Sequence, residues 1–317
     1  METSGVKRGL ERFFAHGGLI VLVTIAVFIL FSVTANGFLT AKNFFTILRS
    51  MSIVTVLAAG ITFVLTLGEI DLSIQSLPAL AATVLCVLVT KGLPVAAAFF
   101  LSLVVCLGFG LLSGIIIVKT RLPSIIITLA TNMIANGLSY ILTKQRAVVI
   151  SQKAFTNLFA GNAGRIPLMF LWMLLLVLAG YILLQRTKFG RNIAFIGDNR
   201  EAALFAGINI RRTIICAFIL CSVFSFMAGI LGCAQSSNAV SGMLSENMMT
   251  AIAVTLIGGT TMAGGKGNMP GTILGAFFLT LITNGFLIMG IAQWVLYLVN
   301  GAIILATLSF RYMLQRA

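Results

Sequence analysis

The chain has 317 residues, 59% of them hydrophobic and only 9% charged, with a mean hydropathy of +1.10. Soluble domains carry about 25% charged residues, so a soluble enzyme is excluded and an integral membrane protein is expected. The net charge of +14 lies in short clusters between apolar runs, as orientation in an anionic bilayer requires, and nucleic acid is set aside as a partner.

The first segment, residues 1–17, is a basic stretch containing "VKRGLERFFAHGG" and suits the membrane interface. The apolar run after it is longer than a secretory h-region, and "SVTANG" is a poor cleavage site, so an uncleaved first span is expected. Apolar runs bounded by charge, Gly, Pro or Asn then predict about ten transmembrane helices, at 18–35, 51–68, 73–90, 93–118, 123–142, 167–185, 213–234, 248–262, 270–289 and 291–310. The predicted fold class is thus all-α, with residues 1–317 forming a single transmembrane domain. Ten spans put both termini on one side. If that side is the cytosol it holds fourteen of the 21 basic residues, Arg121, Lys188, Arg200 and Arg211 among them. The positive-inside bias therefore predicts cytoplasmic termini.

Between the second and third spans Glu69 and Asp71 are two residues apart in an apolar setting. Intramembrane carboxylates are costly and commonly functional, so an ion relay stands beside a structural role in the turn. Residues two apart do not share a helix face, which favours the structural role. The fifth span carries Thr128, Thr131, Asn132, Asn136 and Ser139 along one helical face. Neutral hydroxyls and amides suit an uncharged polyhydroxylated solute, and they equally suit hydrogen bonding between helices. Asn284 and Asn300 are further candidates of the same kind. Cys86, Cys106, Cys216, Cys221 and Cys233 are spread singly and read as small core residues. With His16 the chain's one histidine, a metal cage built on imidazole is excluded, and no metal site is expected.

Between the sixth and seventh spans lies the segment 186–212, which contains "DNREAALFAGIN" and falls on the cytosolic side. Asp198 suits an N-cap and Glu201, three residues on, suits the reciprocal bond of a capping box. Gly207 supplies a left-handed stop. The enclosed Ala202, Ala203, Leu204, Phe205 and Ala206 give about two turns, which is too short to be stable alone in water. Such a helix must pack on something, either its own membrane domain or a partner.

"GGTTMAGGKGN" (258–268) invites a phosphate-loop reading, but its spacing fails. Thr260 stands where the first glycine should, and Gly267 follows Lys266 in place of Ser or Thr. ATP hydrolysis therefore needs another chain. A tight or broken connection with close backbone approach is expected here, and Gly271 and Gly275 are spaced to seat a neighbouring helix.

"EAALFAG" resembles the EAA-xxx-G loop of ABC importer permeases. The surrounding "TKFGRNIAFIGDNREAALFAGINIRR" (187–212), "GEIDLSIQS" (68–76), "AIAVTLIGGTTMAGGKGNMPGTILGAFF" (251–278) and, more loosely, "KTRLPSIIITLATNMIANGLSYILT" (119–143) are similar to the ribose-type sugar permeases of that superfamily. The chain departs from their pattern at Glu69, where a glycine is usual, at Ile74 and Gln75, and in "LSENMMT", where a Tyr-Glu-Leu region is usual. The resemblance implies a multi-pass permease subunit of the bacterial inner membrane that performs no covalent chemistry, is not an enzyme and holds no cofactor. It forms the translocation pathway for a sugar or related small polar solute. The implied partners are an ATPase subunit carrying ATP and Mg, a periplasmic solute-binding protein and a second permease subunit, identical or not. Asp198, Glu201, Ala202, Leu204, Phe205 and Gly207 would form the helix that couples to the ATPase. Thr128, Thr131, Asn132, Asn136 and Asn284 are the candidate pathway residues. The rival function is an ion-coupled secondary transporter using Glu69 and Asp71.

Overall fold

The computed structural model describes residues 18–316. The basic stretch 1–17, with His16, lies outside the described residues. Thirteen described helices follow in chain order: α1 Gly18–Thr34, α2 Ala41–Thr66, α3 Leu77–Thr90, α4 Val95–Thr120, α5 Ser124–Thr143, α6 Lys153–Ala160, α7 Leu168–Tyr181, α8 Lys188–Asp198, α9 Arg200–Phe205, α10 Ile210–Ser236, α11 Asn247–Ile257, α12 Met269–Ile288 and α13 Gln293–Arg316. A π-helical turn, Ile182–Arg186, extends α7. Six helices are long and apolar enough to cross a bilayer: α2, α4, α5, α7 with its extension, α10 and α12. Four shorter apolar stretches, Ile20–Thr34, Leu77–Thr90, Asn247–Ile257 and Trp294–Ile303, lie where the other four spans are expected and fall short of that length.

Two helices form the axis of the molecule. The most apolar window of α2 is 83% buried and that of α10 is 72% buried, against 28–33% for α4, α5 and α7. The peripheral helices thus turn Ile126, Met133, Ile141, Leu175 and Leu178 outward, as lipid contact requires. Lipid tails are as apolar as leucine, so helices associate in a membrane through close packing more than through the hydrophobic effect. Gly271 and Gly275 serve this purpose on α12, as their spacing suggests. A Cβ at Gly275 would lie 2.5 Å from the Val254 carbonyl oxygen on α11.

Element boundaries differ from the expected ones where polar residues end the apolar signal too early. Helix α2 begins at Ala41, ten residues before the predicted span, because Thr40 caps it by accepting from the Asn43 backbone N–H at 3.3 Å. Arg49, within it, donates to Asn162 Oδ1 at 2.6 Å at the protein surface. The third span is broken. Residues Ser73–Gln75 form a 3₁₀ turn and α3 starts only at Leu77, leaving 14 residues or about 21 Å of helix. The eighth span stops at Ile257, since Gly258 and Gly259 turn the chain. At the end of the molecule opposite Thr66, α6 and two short antiparallel ribbons form a cap, Val148–Val149 with Asn238–Ala239 and Asn162–Ala163 with Ile166–Pro167. We call the Thr66 end lower and the capped end upper. Cys86 of α3 and Cys233 of α10 are not isolated, because their buried sulfurs lie 3.3 Å apart.

Candidate functional site

The segment 186–212 folds as two helices at the lower end. Thr187 caps α8, accepting from the Gly190 N–H at 3.3 Å. Asn199 then caps α9, its Oδ1 accepting from the Ala202 N–H at 2.9 Å. This corrects the expected cap. Asp198 is the last residue of α8, whereas Asn199 has the extended backbone (φ −152°, ψ 105°) that an N-cap needs. Glu201 accordingly stands one position too early for a capping box. It remains in the first turn, where a carboxylate is favoured by the helix dipole. The stop is as expected. Gly207 has φ +75°, and the Ile208 N–H reaches back to the Ala203 carbonyl at 3.1 Å.

Ala203 faces inward and is fully buried, and Ala202 is half-buried. Leu204 and Phe205 are 65% and 90% exposed at the lower surface. Arg200 anchors the helix sideways, with its guanidinium 3.3 Å from Glu69 Oε1 on the loop between α2 and α3. Beneath lies a crossing of three backbones. A Cβ at Gly197 would come within 2.0 Å of the Thr66 carbonyl oxygen, and one at Gly264 within 2.6 Å of the Gly197 oxygen and 2.9 Å of the Gly68 nitrogen. The Gly265 N–H donates to the Thr66 carbonyl at 2.9 Å. The glycine-rich loop 258–268 therefore clamps the start of the α9 segment to the end of α2, in keeping with its failed phosphate-loop spacing.

Glu69 and Asp71 do not share a site. Glu69 faces Arg200, while Asp71 is buried and accepts from the Ser73 N–H at 2.8 Å and the Ser73 hydroxyl at 2.6 Å. The same loop holds α5. The Ile70 N–H donates to Ser124 Oγ at 3.0 Å, and Thr128 Oγ1 donates to the Ser124 and Ile70 carbonyls at 2.8 and 3.3 Å. Thr131 accepts from Ser113 at 3.3 Å and donates to the Thr128 carbonyl at 3.1 Å. Asn132 accepts from Ser76 Oγ at 2.6 Å and donates to Gln75 Oε1 at 3.1 Å. Ile74 and Gln75, two of the departures from the family pattern, thus belong to the loop that grips α5.

Above that grip, and below the Thr143–Ser241 contact near the top of α5, three buried polar atoms go unpaired. Helices α3 and α5 rise in parallel, and Thr83 and Ser139 stand seven residues, or two turns, beyond the bonded Ser76 and Asn132 on the same faces. Thr83 Oγ1, Asn136 Oδ1 and Ser139 Oγ are buried there without a hydrogen-bond partner. Asn284 lies apart from the α5 residues. It exchanges two amide hydrogen bonds with Asn43, at 3.0 and 2.9 Å, and it lines a cleft of about 530 Å³ between α2, α11, α12 and α13. Thr46, Ser50, Asn247, Thr250, Thr283 and Asn300 contribute to the same cleft. The sequence did not point to this grouping, because its walls come from four separated segments. A second cleft, of about 840 Å³, opens beside α9 and is lined by Glu69, Arg121, Arg200, Glu201, Leu204 and Arg211 among others.

A protruding apolar helix at one end, and toward the other a cleft whose largely apolar walls carry several amides and hydroxyls, suit a transporter subunit, and relatives decide which. A family profile described as "Branched-chain amino acid transport system / permease component" matches residues 43–308. The ribose import permease of Escherichia coli (strain K12) is 31% identical over 293 residues, covering 90% of this chain and 89% of the relative. The chain belongs to the ribose-type permease family of ABC importers. This permease is also similar to the L-arabinose ABC transporter permease of Azospirillum brasilense, 29% identical over 92% of this chain and 86% of the relative. The D-allose permease of Escherichia coli (strain K12) is 29% identical over 94% and 92% of the two chains. No solved structure matches.

Proposed function

We infer that the permease is the transmembrane subunit of an ATP-driven importer in the bacterial inner membrane, and that it forms the route for a neutral sugar delivered by a periplasmic binding protein. In this reading the lower end is cytosolic, both termini lie there, the six long and four shorter helices make ten spans, and a second permease subunit completes the pathway. The observation that carries the reading is the exposure of Leu204 and Phe205 on a capped helix clamped to α2. A six-residue helix is unstable by itself, and the glycine crossing and the Arg200–Glu69 pair make it rigid. Two large apolar side chains held out into water on such a mount suit insertion into a groove of another protein.

The chain itself performs no covalent step. ATP and Mg act on the partner ATPase, whose closure would push α9. The push would pass through Gly197 to Thr66 and through Arg200 to the α2–α3 loop, and so to Ser124, Thr128 and Asn132 of α5. The relatives named for ribose, arabinose and allose transport support a monosaccharide as cargo.

Burying Leu204 and Phe205 contributes about 1.5–3 kcal/mol each. The double variant Leu204→Ala/Phe205→Ala should weaken ATPase association by at least roughly 100-fold, measured by co-purification from detergent, with membrane insertion intact. Undiminished co-purification contradicts the reading.

A further inference from the structure

The upper cleft differs from the rest of the permease in its charge. Among the described residues its walls hold one carboxylate, Glu246, and no Lys or Arg. Glu246 stands at the start of α11 and accepts a hydrogen bond from the Tyr297 hydroxyl of α13. Around it lie neutral donors and acceptors: Asn247, Thr283, Asn284 and Asn300. Thr283 and Asn300 are joined at 3.4 Å across α12 and α13, and Asn284 is held by Asn43. The polar groups are thus supported from behind, while the cleft between them stays open.

Position and size fit a small solute in transit. Thr46 to Val54 of α2 line the cleft and lie 12 to 20 residues before Thr66, so it begins about 18 Å above the lower end and extends to about 30 Å. Its volume of about 530 Å³ falls within the usual range for small-molecule sites, about 300–1,000 Å³. Glu246, Asn247, Met249 and Thr250 all come from "LSENMMT", the segment where this chain departs from its family's pattern. A segment that departs from the family's pattern therefore forms one wall of the cleft.

We propose that the upper cleft binds a neutral polyhydroxylated solute, and that Glu246 sets its specificity by accepting hydroxyl hydrogens and turning away carboxylated analogues. A carboxylate accepts several hydrogen bonds and donates none, so a ring bearing adjacent hydroxyls is matched to it. An anion entering the same space meets a like charge, with no basic residue among the described residues of the walls to offset it. The inference deepens the permease reading and rests on it.

Thiol labelling tests the site whichever sugar is the natural cargo. Thr250 lies four residues beyond Glu246, one helical turn away on the same face, and Thr283 offers a second position on the opposite wall. Thr250→Cys and Thr283→Cys are made in a Cys216→Ser background, since Cys216 is the exposed native thiol and the other four are buried. The permease–ATPase complex in proteoliposomes is then treated with cationic and anionic methanethiosulfonates of similar size. With each rate divided by that reagent's rate toward free 2-mercaptoethanol, the cationic reagent should react roughly tenfold faster at both positions, and adding Glu246→Gln should abolish this normalised preference. A mixture of D-ribose, L-arabinose, D-xylose, D-galactose and D-allose should slow labelling, while the corresponding aldonic acids should not. Equal normalised rates for the two reagents, a preference that survives Glu246→Gln, or equal protection by sugars and acids overturns the proposal, as does absence of protection by the sugars. None of these outcomes bears on whether uptake requires ATP, so failure of the cleft and failure of the importer reading are separate results.

Discussion

At the scale of single residues, two adjacent polar side chains divide work that either could do. Asp198 and Asn199 are both strong capping types, and only the backbone separates them: Asn199 is extended, Asp198 helical. Asn199→Ala should therefore destabilise α9 by about 1 kcal/mol and reduce ATPase co-purification several-fold, whereas Asp198→Ala should leave the α9 cap intact. The reverse ranking in the same pull-down would contradict the assignment. A second residue-scale expectation concerns Thr83, whose hydroxyl is buried without a partner. Replacing such a hydroxyl by a methyl removes an unmet desolvation cost, so Thr83→Val should raise thermal stability in detergent, by about 1 kcal/mol. A fall in Tm of that size would show that Thr83 has a partner. Residue types announced a helix start here, and the sequence placed its cap at Asp198, one residue too early. Which of the two caps was not legible, because dihedral angles are set by the fold around Gly197.

At the scale of elements, the lower end shows how glycine turns a loop into a joint. The loop 258–268 looked from sequence like a place of close backbone approach, and it is. What it approaches, Gly197 and Thr66, is 60 to 200 residues distant in the chain and could not be read from local spacing. Gly197→Ala would place a methyl 2.0 Å from the Thr66 carbonyl oxygen and 2.6 Å from the Gly265 nitrogen. The clamp must then open, at a cost of about 1–3 kcal/mol. The expected result is an assembled complex that hydrolyses ATP with uptake much reduced, because α9 can dock but no longer pushes on α2. Parallel measurement of ATP hydrolysis and uptake checks this, and normal uptake per ATP would contradict the role given to the clamp. The same contrast explains the break at residues 67–76. Hydropathy predicted a span from 73, whereas Ser73–Gln75 form a 3₁₀ turn in which Ser73 bonds back to Asp71 while Gln75 and Ser76 bond to Asn132 of α5. Only the position of α5 reveals why the helix waits until Leu77.

At the scale of the molecule, the chain is a membrane domain with distinct ends. Composition alone established the bilayer as its solvent, and hydropathy located the apolar helices to within a few residues at most boundaries. The ribbon between Val148–Val149 and Asn238–Ala239 was beyond reach, because its strands are two residues long and ninety apart. The upper cleft was beyond reach for a related reason. Of the expected pathway residues, Asn284 lines it, whereas Thr128 and Asn132 bond to the α2–α3 loop and Thr131 to Ser113 of α4. Neutral polar residues on an apolar helix announce that they meet something polar, and only three-dimensional placement tells a neighbouring loop from a cavity.

The central claim is that motion enters at Leu204 and Phe205 from a separate ATPase. Its most direct test is sugar uptake into proteoliposomes containing the permease with its ATPase, with the binding protein supplied outside. Uptake should require ATP inside the ATPase-accessible compartment, should vanish when the ATPase is omitted, and should be lost in Leu204→Ala/Phe205→Ala. Uptake driven by a proton or sodium gradient with no ATPase present would contradict the account and return Glu69 and Asp71 to the centre of the mechanism.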